Sequence, residues 1–290
     1  MAEKVAIVGA TTPFGKSFSA FMRHNGHEVV ELSQSLLLRP IPDITKVIDG
    51  CEVICNLQGV HFTNKWTGRY QYDVYANRIT TIHNLTQALI YCQQRPKVFA
   101  YLSNAMIYDV YEVHNDFSSS YGDSFLAEVG RMETTEMMKL KTKFSDIRLI
   151  ILRTGYLMGR NGGLYPLLRR VSRMHLAGFI NDGYQCIPIV HIKDAVNALD
   201  FLIYNKKAEG IFNVSIPNMC SMRELVDAIE KHQRGFQIPM PQALLRWLVG
   251  RAYELFEQNC KVVPQRLLDM NFEFLYDNID DLMAALARKE

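Results

Sequence analysis

Chemistry is first legible in the opening fifteen residues. Lys4-Val5-Ala6-Ile7-Val8 reads as an apolar strand. Gly9-Ala10-Thr11-Thr12-Pro13-Phe14-Gly15 follows as a glycine-spaced turn, and a helical pattern runs from Lys16 to Arg23. Strand, turn and helix in that order make an anion cradle. Free N–H groups of a first helical turn point at a phosphate, and the helix dipole favours negative charge there. Gly9 permits the tight turn and Gly15 permits close helix–strand packing. The middle glycine of a full dinucleotide fingerprint is missing. Its place holds Thr12, whose side chain must fit or whose hydroxyl must take part. The same residues would also make a plain strand–turn–helix unit with no ligand. Their place at the front of an alternating strand–helix chain favours the dinucleotide reading.

The elements that position this turn alternate along the chain, which implies a parallel sheet with helices on both faces. Strand two is expected at His27 to Leu32, after a helix stop at Asn25-Gly26. Residues 33–50 are short and contain Arg39-Pro40-Ile41-Pro42, so the second crossover is abbreviated, with Leu36 to Leu38 as a vestigial strand. Glu52 to Leu57 is a strand. A long helix covers Tyr72 to Gln93, and Lys97 to Leu102 is the next strand, ending at Ser103. Residues 109–122 read as loop. A helix from Ser124 to Lys139 and a buried strand from Asp146 to Arg153 follow. Gly162-Gly163 precedes a helix to about Met174, and His191-Ile192-Lys193-Asp194 opens another to Tyr204. Gly210 to Ile216 is strand-like, and Ser221-Met222-Arg223-Glu224 is a capping box before an amphipathic helix. The tail from Phe236 reads as helical, punctuated by prolines.

Composition narrows the class. The chain has 290 residues, 48% of them hydrophobic, and a net charge of +2. That is enough for one large core, or for one domain with a smaller companion. No basic run or basic–aromatic stripe points to nucleic acid. Apolar runs are far shorter than a membrane span, and Met1-Ala2-Glu3-Lys4 leads straight into a strand, so neither membrane insertion nor a signal peptide is expected. Cys51, Cys55, Cys92, Cys186, Cys220 and Cys260 are scattered without ligand spacing. They read as small buried hydrophobes in a reducing, cytoplasmic setting, with no metal site.

In this order and spacing the motifs resemble the extended, atypical short-chain dehydrogenase/reductase superfamily, in its NAD-dependent epimerase/dehydratase-like branch. The pieces are Gly9 to Gly15; Asn56-Leu57-Gln58-Gly59 after a strand; Lys65-Trp66-Thr67; Asn77-Arg78; Val98 to Tyr108 around Ser103; and Phe125 to Val129. Leu152-Arg153-Thr154-Gly155, Asn161-Gly162-Gly163 and Gly183-Tyr184-Gln185 leading to His191 continue the series. Lys261 to Leu268 followed by Asn271 to Phe274 closes it. The resemblance implies an α/β fold, a Rossmann-like doubly wound parallel sheet with a smaller, mainly helical C-terminal substrate or lid domain. The expected divisions are a dinucleotide-binding core over 1–160, mixed core and substrate-binding segments over 161–235, and a helical tail over 236–290.

The resemblance also assigns roles. Gly9, Thr11, Thr12, Pro13, Phe14 and Gly15 would hold the cofactor pyrophosphate. Asn56, Leu57 and Gly59 would line its adenosine side, and Arg153 and Gly155 would lie near the nicotinamide. Ser33 stands where an acid would select NAD and an arginine NADP. Lys16 and Arg39, the nearest basic residues, lean the choice to NADP, although a solvated helix charge is the plainer account of Lys16. Ser103 would hold the reacting oxygen, with Tyr108 and Tyr121 as acid candidates. Trp66, Gln185 and His191 would border an unidentified small-molecule substrate. His191 could equally be structural, and Asp194 could simply favour a helix N-terminus.

One departure is central. Carbonyl chemistry in this superfamily uses Tyr-x-x-x-Lys on one helix face, the lysine lowering the tyrosine pKa towards working pH. The chain contains no such pair. Tyr121 lies four residues before Phe125, and the family pattern sets Tyr121 just ahead of the helix. Glu133, on the helix that follows, is the only other ionisable candidate at a plausible place, and a solvated helical carboxylate is its plainer account. Two functions stay open. One is an NAD(P)-dependent oxidoreductase or epimerase acting on a small carbonyl or hydroxyl substrate. The other is a non-catalytic NAD(P)-binding sensor or partner-binding protein.

Overall fold

The computed structural model describes residues 2–59, 67–173, 182–233 and 258–288. Six strands form the central sheet: β1 (Lys4–Val8), β2 (Glu28–Leu32), β3 (Val53–Asn56), β4 (Val98–Asn104), β6 (Arg148–Thr154) and β11 (Gly210–Val214). A two-residue strand, β5 (Val113–His114), falls between β4 and β6 in the chain and pairs elsewhere with Lys261–Val262. The sheet order is β11-β6-β4-β3-β1-β2 and every pairing is parallel. Chain order reverses at β1, with β2 on one side and β3 on the other. That switch point opens a crevice at the carboxyl ends of the strands, where ligands of such sheets sit.

The period-2 alternation of β1 decides which helix covers which face. Val5 and Ile7 face a core built with Phe14, Phe18 and Met22 of α1 (Pro13–His24) and Leu199 of α7 (Ile192–Tyr204). Ala6 and Val8 face the opposite core, made by α3 (Ile41–Ile48), α4 (Gly68–Tyr91) and α5 (Phe125–Lys143), through residues such as Ile44, Leu85 and Met137. Phe18 is fully buried. Its truncation to alanine would cost about 3–5 kcal/mol, the usual range for a buried aromatic. A third core lies beyond β6, where Tyr156, Met158, Ile189, Leu225 and Leu282 bring together the small elements of the second half: β7 (Tyr156–Gly159), β8 (Gly162–Gly163), α6 (Tyr165–Arg173), β9 (Cys186–Ile187), β10 (Ile189–His191) and the helices at Met222–Gln233 and Ile279–Ala287.

The segment 33–50 differs from expectation. No strand forms at Leu36 to Leu38. Ser33 caps a short helix, α2 (Gln34–Leu37), and Pro40-Ile41-Pro42 opens α3. Proline in a first helical turn gives up an N–H that has no partner there anyway, so the Pro-rich stretch starts a helix rather than a loop. The capping box forms as expected, with Ser221 accepting from Glu224 N–H while the Glu224 carboxylate accepts from Ser221 N–H at 2.7 Å. Five of the cysteines are buried, Cys186 is intermediate, and all are free thiols. No helix among the described residues is long and apolar enough to cross a membrane. Residues 236–257 of the expected helical tail lie outside the described residues.

Candidate functional site

Two adjoining cavities occupy the crevice. The outer one, about 540 Å³, lies between the Gly9–Thr12 turn, the end of β2 at Leu32-Ser33-Gln34, and α4. The inner one, about 320 Å³, runs from Pro13 and Phe14 past Ser103 to the Gly162–Leu164 segment. Thr12, Gln58, Gly59 and Arg78 line both.

The cradle between them is tightly built. Gly9 has φ +78°, and a Cβ on Gly15 would stand 2.1 Å from the Gly9 carbonyl oxygen. Thr12 caps α1: its hydroxyl accepts from Gly15 N–H at 3.0 Å and donates to the Gly9 carbonyl at 2.8 Å. Pro13 has no N–H, and Lys16 N–H is bound by the Thr12 carbonyl. The first turn therefore offers Phe14 N–H to an anion. Thr12 answers the missing glycine by closing the turn rather than by reaching outward.

Beyond the cradle, Leu57 is core, with its carbonyl behind the Thr12 hydroxyl at 3.4 Å. Asn56 is buried, and its Oδ1 accepts from Gln58 N–H at 3.3 Å. Gln58 rather than Asn56 or Leu57 faces the ligand space, with its Oε1 unpartnered. Ser33 and Thr11 line the outer cavity, and Gly155 lines the inner one. A Cβ on Gly155 would meet the Pro188 carbonyl at 2.5 Å, so glycine is needed there for packing. Lys16 and Arg39 are exposed, and neither lines the outer cavity.

At the end of β4, Ser103 donates to Glu133 Oε2 at 3.1 Å. The other carboxylate oxygen of Glu133 is paired with Arg78 Nε. Arg78 also donates to the Gln58 carbonyl at 3.0 Å and to the Leu102 carbonyl at 2.7 Å. Glu133 is fully buried, which corrects its reading as a solvated helical residue. Burial pulls Arg78 towards neutrality, but the adjoining carboxylate outweighs it and holds the guanidinium above its ordinary range. Val129 and Glu133 are four apart on α5 and both line the inner cavity beside Ser103. Among the described residues they are the one pair on α5, four apart, that lines this cavity. They hold a hydrocarbon and an anion.

The other acid candidates point elsewhere. β6 alternates, so Leu152 faces α7 while Arg153 faces α5, in register with Ser103. Arg153 is fully buried and donates to Tyr108 OH at 2.9 Å; its guanidinium lies over the Tyr108 and Tyr121 rings at 5.1 and 5.3 Å. Tyr108 OH in turn donates to Asn213 Oδ1 at 2.8 Å, and burial raises its pKa. Neither inner nor outer cavity is lined by Arg153, Tyr108 or Tyr121. They form a cluster of their own, set apart from both cavities.

Gln185 and His191 are buried outside the cavity linings. The Gln185 carbonyl accepts from Met222 N–H at 2.9 Å. His191 is the N-cap of α7 and packs on Tyr276 at 4.4 Å between centroids. Burial pulls its pKa down to about 4. Asp194 accepts from Leu275 and Tyr276 N–H at 2.7 and 3.2 Å, clamping the tail to α7, and burial pushes it up to about 6 against those two bonds. Trp66 lies outside the described residues. Among those described, one group has metal-ligand spacing that the sequence reading did not single out. Asp109, Glu112 and His114 hold ligand atoms within 4.8 Å of one another, and the His114–Asp109 contact at 3.1 Å is a sufficient account of it.

The NAD dependent epimerase/dehydratase family model matches residues 5–215. The chain belongs to that family. A second model, a domain of unknown function (DUF1731), matches residues 240–286. The human epimerase family protein SDR39U1 is 25% identical over 95% of this chain and 97% of its own length. The Bacillus subtilis epimerase family protein YfhF is 21% identical, covering 97% of each. The crystal structure of human SDR39U1 with NADPH superposes with a TM-score of 0.84 at 21% identity, over 98% of this chain and 99% of that one. UDP-glucose 4-epimerase from Thermotoga maritima, solved with UDP-glucose, gives 0.75 at 11% identity over 98% and 97%. Both likenesses show the fold. The family is NAD(P)-dependent, and the crevice is also lined by Arg78, Asn104 and Val129, to which the sequence reading gave no role. For Arg78 and Glu133 a signal was available: opposite charges on two helices flanking one strand end.

Proposed function

We propose that the protein binds NADP(H) across the two cavities and lacks the acid–base pair needed to reduce simple carbonyls. One observation carries this reading: the α5 residues lining the inner cavity are Leu126, Val129 and the Arg78-paired Glu133, which offer neither a phenol nor a free ammonium. The fit to a dinucleotide rests on the cradle, where a Gly15 Cβ has no room, and on the unpartnered Gln58 Oε1 between the cavities. Phe14 N–H would take the pyrophosphate, Ser33 and Gln34 the adenosine ribose, and Gly155 with Ser103 the nicotinamide side. Bound there, the group would supply two-electron redox chemistry. The preference for NADP follows from β2. Its end carries the uncharged Ser33, and its acid Glu31, which lines the outer cavity, has one carboxylate oxygen held by Arg23 at 2.5 Å, which weakens its claim on a ribose 2′-OH. The NADPH seen with human SDR39U1 supports the same choice.

A second reading, an oxidoreductase or epimerase acting on a small carbonyl or hydroxyl substrate, is favoured by Ser103 keeping its place at the cavity. Calorimetric titration with NADPH and NADH, followed by a turnover screen on aldehydes, ketones and sugar nucleotides, separates the two. Submicromolar to micromolar NADPH binding without turnover is expected. Absence of binding below millimolar ends the dinucleotide reading, and rapid NAD(P)H oxidation in the screen ends the non-catalytic one.

A further inference from the structure

Away from the crevice, the outer side of α5 carries positive charge that no acid answers. Arg131, Thr134 and Met138 recur at three- and four-residue spacing, so they share one helix face. That face and Tyr121 line an open groove of about 700 Å³, which has no residue in common with either cavity of the crevice. The charged residues lining it are Arg131, Lys139 and Lys143, and no acid lines it. Lys139 pairs with Glu136 at 2.7 Å, but Arg131 and Lys143 have no ion pair among the described residues. Arg131 is anchored beside Tyr121, where its Nη1 donates to the Gly122 carbonyl. A further cation lies behind the groove wall. The fully buried Arg153 has no carboxylate partner among the described residues. Its Nη2 donates to Tyr121 OH and to Thr134 Oγ1, each at 3.4 Å, and its Nε has no partner. Asp116, whose charge reaches Tyr108, is spent on the N–H groups of Asn213 and Arg266. A guanidinium only donates, so both hydroxyl oxygens accept from Arg153. Thr134 passes its own proton to the Gly130 carbonyl at 2.8 Å. The half-buried Tyr121 has no such acceptor among the described residues, so its O–H is left to donate into the groove.

We propose that this groove binds an organic phosphate, a phosphate ester on an apolar body in class, through Arg131 and the Tyr121 hydroxyl. A guanidinium fork matches phosphate oxygens, and hydrogen bonds between charged partners are the strong ones. Arg131, Lys143 and Arg153 bring three positive charges without a paired acid, more than a carboxylate would answer. A phosphate ester carries about −1.5 to −2 at neutral pH. Met138, 50% exposed on the same face, offers its apolar body a surface. Arg153 touches no ligand, because it has no exposed surface. It acts through the two hydroxyls it polarises, and an anion in the groove offsets part of the cost of keeping a guanidinium in the interior.

The test is calorimetric titration of the full chain with phenyl phosphate, benzoate and phenol, without and with saturating NADPH. Phenyl phosphate is expected to bind at least about tenfold more tightly than benzoate or phenol, and equally well in both series. Arg131→Gln should weaken it by at least about tenfold and Tyr121→Phe by at least about threefold, with NADPH affinity held within about twofold of wild type. Lys143→Gln, at an exposed position, should fold as wild type and cost about threefold, so the groove stays testable where Arg131→Gln melts too early to titrate. No binding of phenyl phosphate overturns the proposal, as does benzoate binding as tightly, or an affinity that none of the three variants moves. So does phenyl phosphate binding that disappears once NADPH is bound, because the anion then sits at the Phe14 N–H of the cradle.

Discussion

Replacing Arg78 by methionine is expected to destabilise the protein in a way that depends on pH. The change leaves the Glu133 carboxylate buried, with the Ser103 hydroxyl and the buried Tyr101 phenol as its remaining side-chain partners and no cation. A glutamate in that position can escape its cost by taking a proton. An ordinary glutamate titrates near about 4.3, and each pH unit is worth about 1.36 kcal/mol, so holding it neutral at pH 7 costs about 3.7 kcal/mol. Loss of the Arg78 bonds to Gln58 and Leu102 adds to this, giving the range of about 3–5 kcal/mol or a little more that breaking a buried pair usually brings. A glutamate raised in the folded state contributes stability that is present at low pH and lost as pH rises. The deficit of Arg78→Met against wild type should therefore shrink by about 1.4 kcal/mol for each unit of acidification from pH 7 to pH 5. Glu133→Gln removes the other partner. An arginine cannot shed its proton in this range, so that deficit should be flat over the same window. Urea unfolding followed by far-UV circular dichroism at pH 5, 6 and 7 reads both. If Arg78→Met costs less than about 1 kcal/mol at pH 7, or shows the same pH slope as Glu133→Gln, the pair does not hold the end of β4 as described.

Gly15→Ala should abolish dinucleotide binding and lower thermal stability, because its Cβ would stand 2.1 Å from backbone that cannot yield; near-normal NADPH titration and melting would refute the packing of the cradle. Thr12→Gly should change NADPH affinity by no more than about 1.5 kcal/mol, since the hydroxyl caps α1 and glycine is a tolerated cap; a loss of a hundredfold would make Thr12 a phosphate ligand. His191 and Asp194 should reveal opposite slopes that offset each other in wild type. His191, lowered to about 4, supplies stability lost as pH falls below about 6.5; Asp194, raised to about 6, supplies stability gained as pH falls towards 3.8. Relative to wild type in urea unfolding, His191→Gln should gain stability on acidification from pH 7 to 4.5 and Asp194→Asn should lose it, each by at most about 3 kcal/mol, and equal slopes would refute the assignment.

The sheet was legible because its signals are local. The strands at Val5, Val53, Val98 and Leu149 are short apolar runs bounded by polar or glycine-containing turns, and each appears within two residues of its expected ends. The failure at 33–50 came from weighing proline as a breaker. At the first turn of α3 it is a starter, and only the burial of Ile44 and Ile48 against Leu85 makes the amphipathic face visible. Arg153 lies outside the two cavities for a different reason. It was carried with its neighbour Gly155 as a motif, whereas strand alternation turns every second residue to the other side of the sheet.

The site was the least legible part, because its decisive residues act in pairs that no single stretch of sequence contains. A lone glutamate on a charged helix reads as solvated unless a cation across the fold removes the cost of burying it. Arg78 comes from α4, 55 residues before Glu133, and the two meet over Ser103 only after β4 has placed its last turn between their helices. A carboxylate at this place is also not neutral in sign. A lysine beside a tyrosine favours the phenolate and makes a usable base; a carboxylate favours the neutral phenol. A tyrosine introduced at Val129 would thus face an anion already engaged by Ser103 and Arg78, and would stay a phenol rather than become a base.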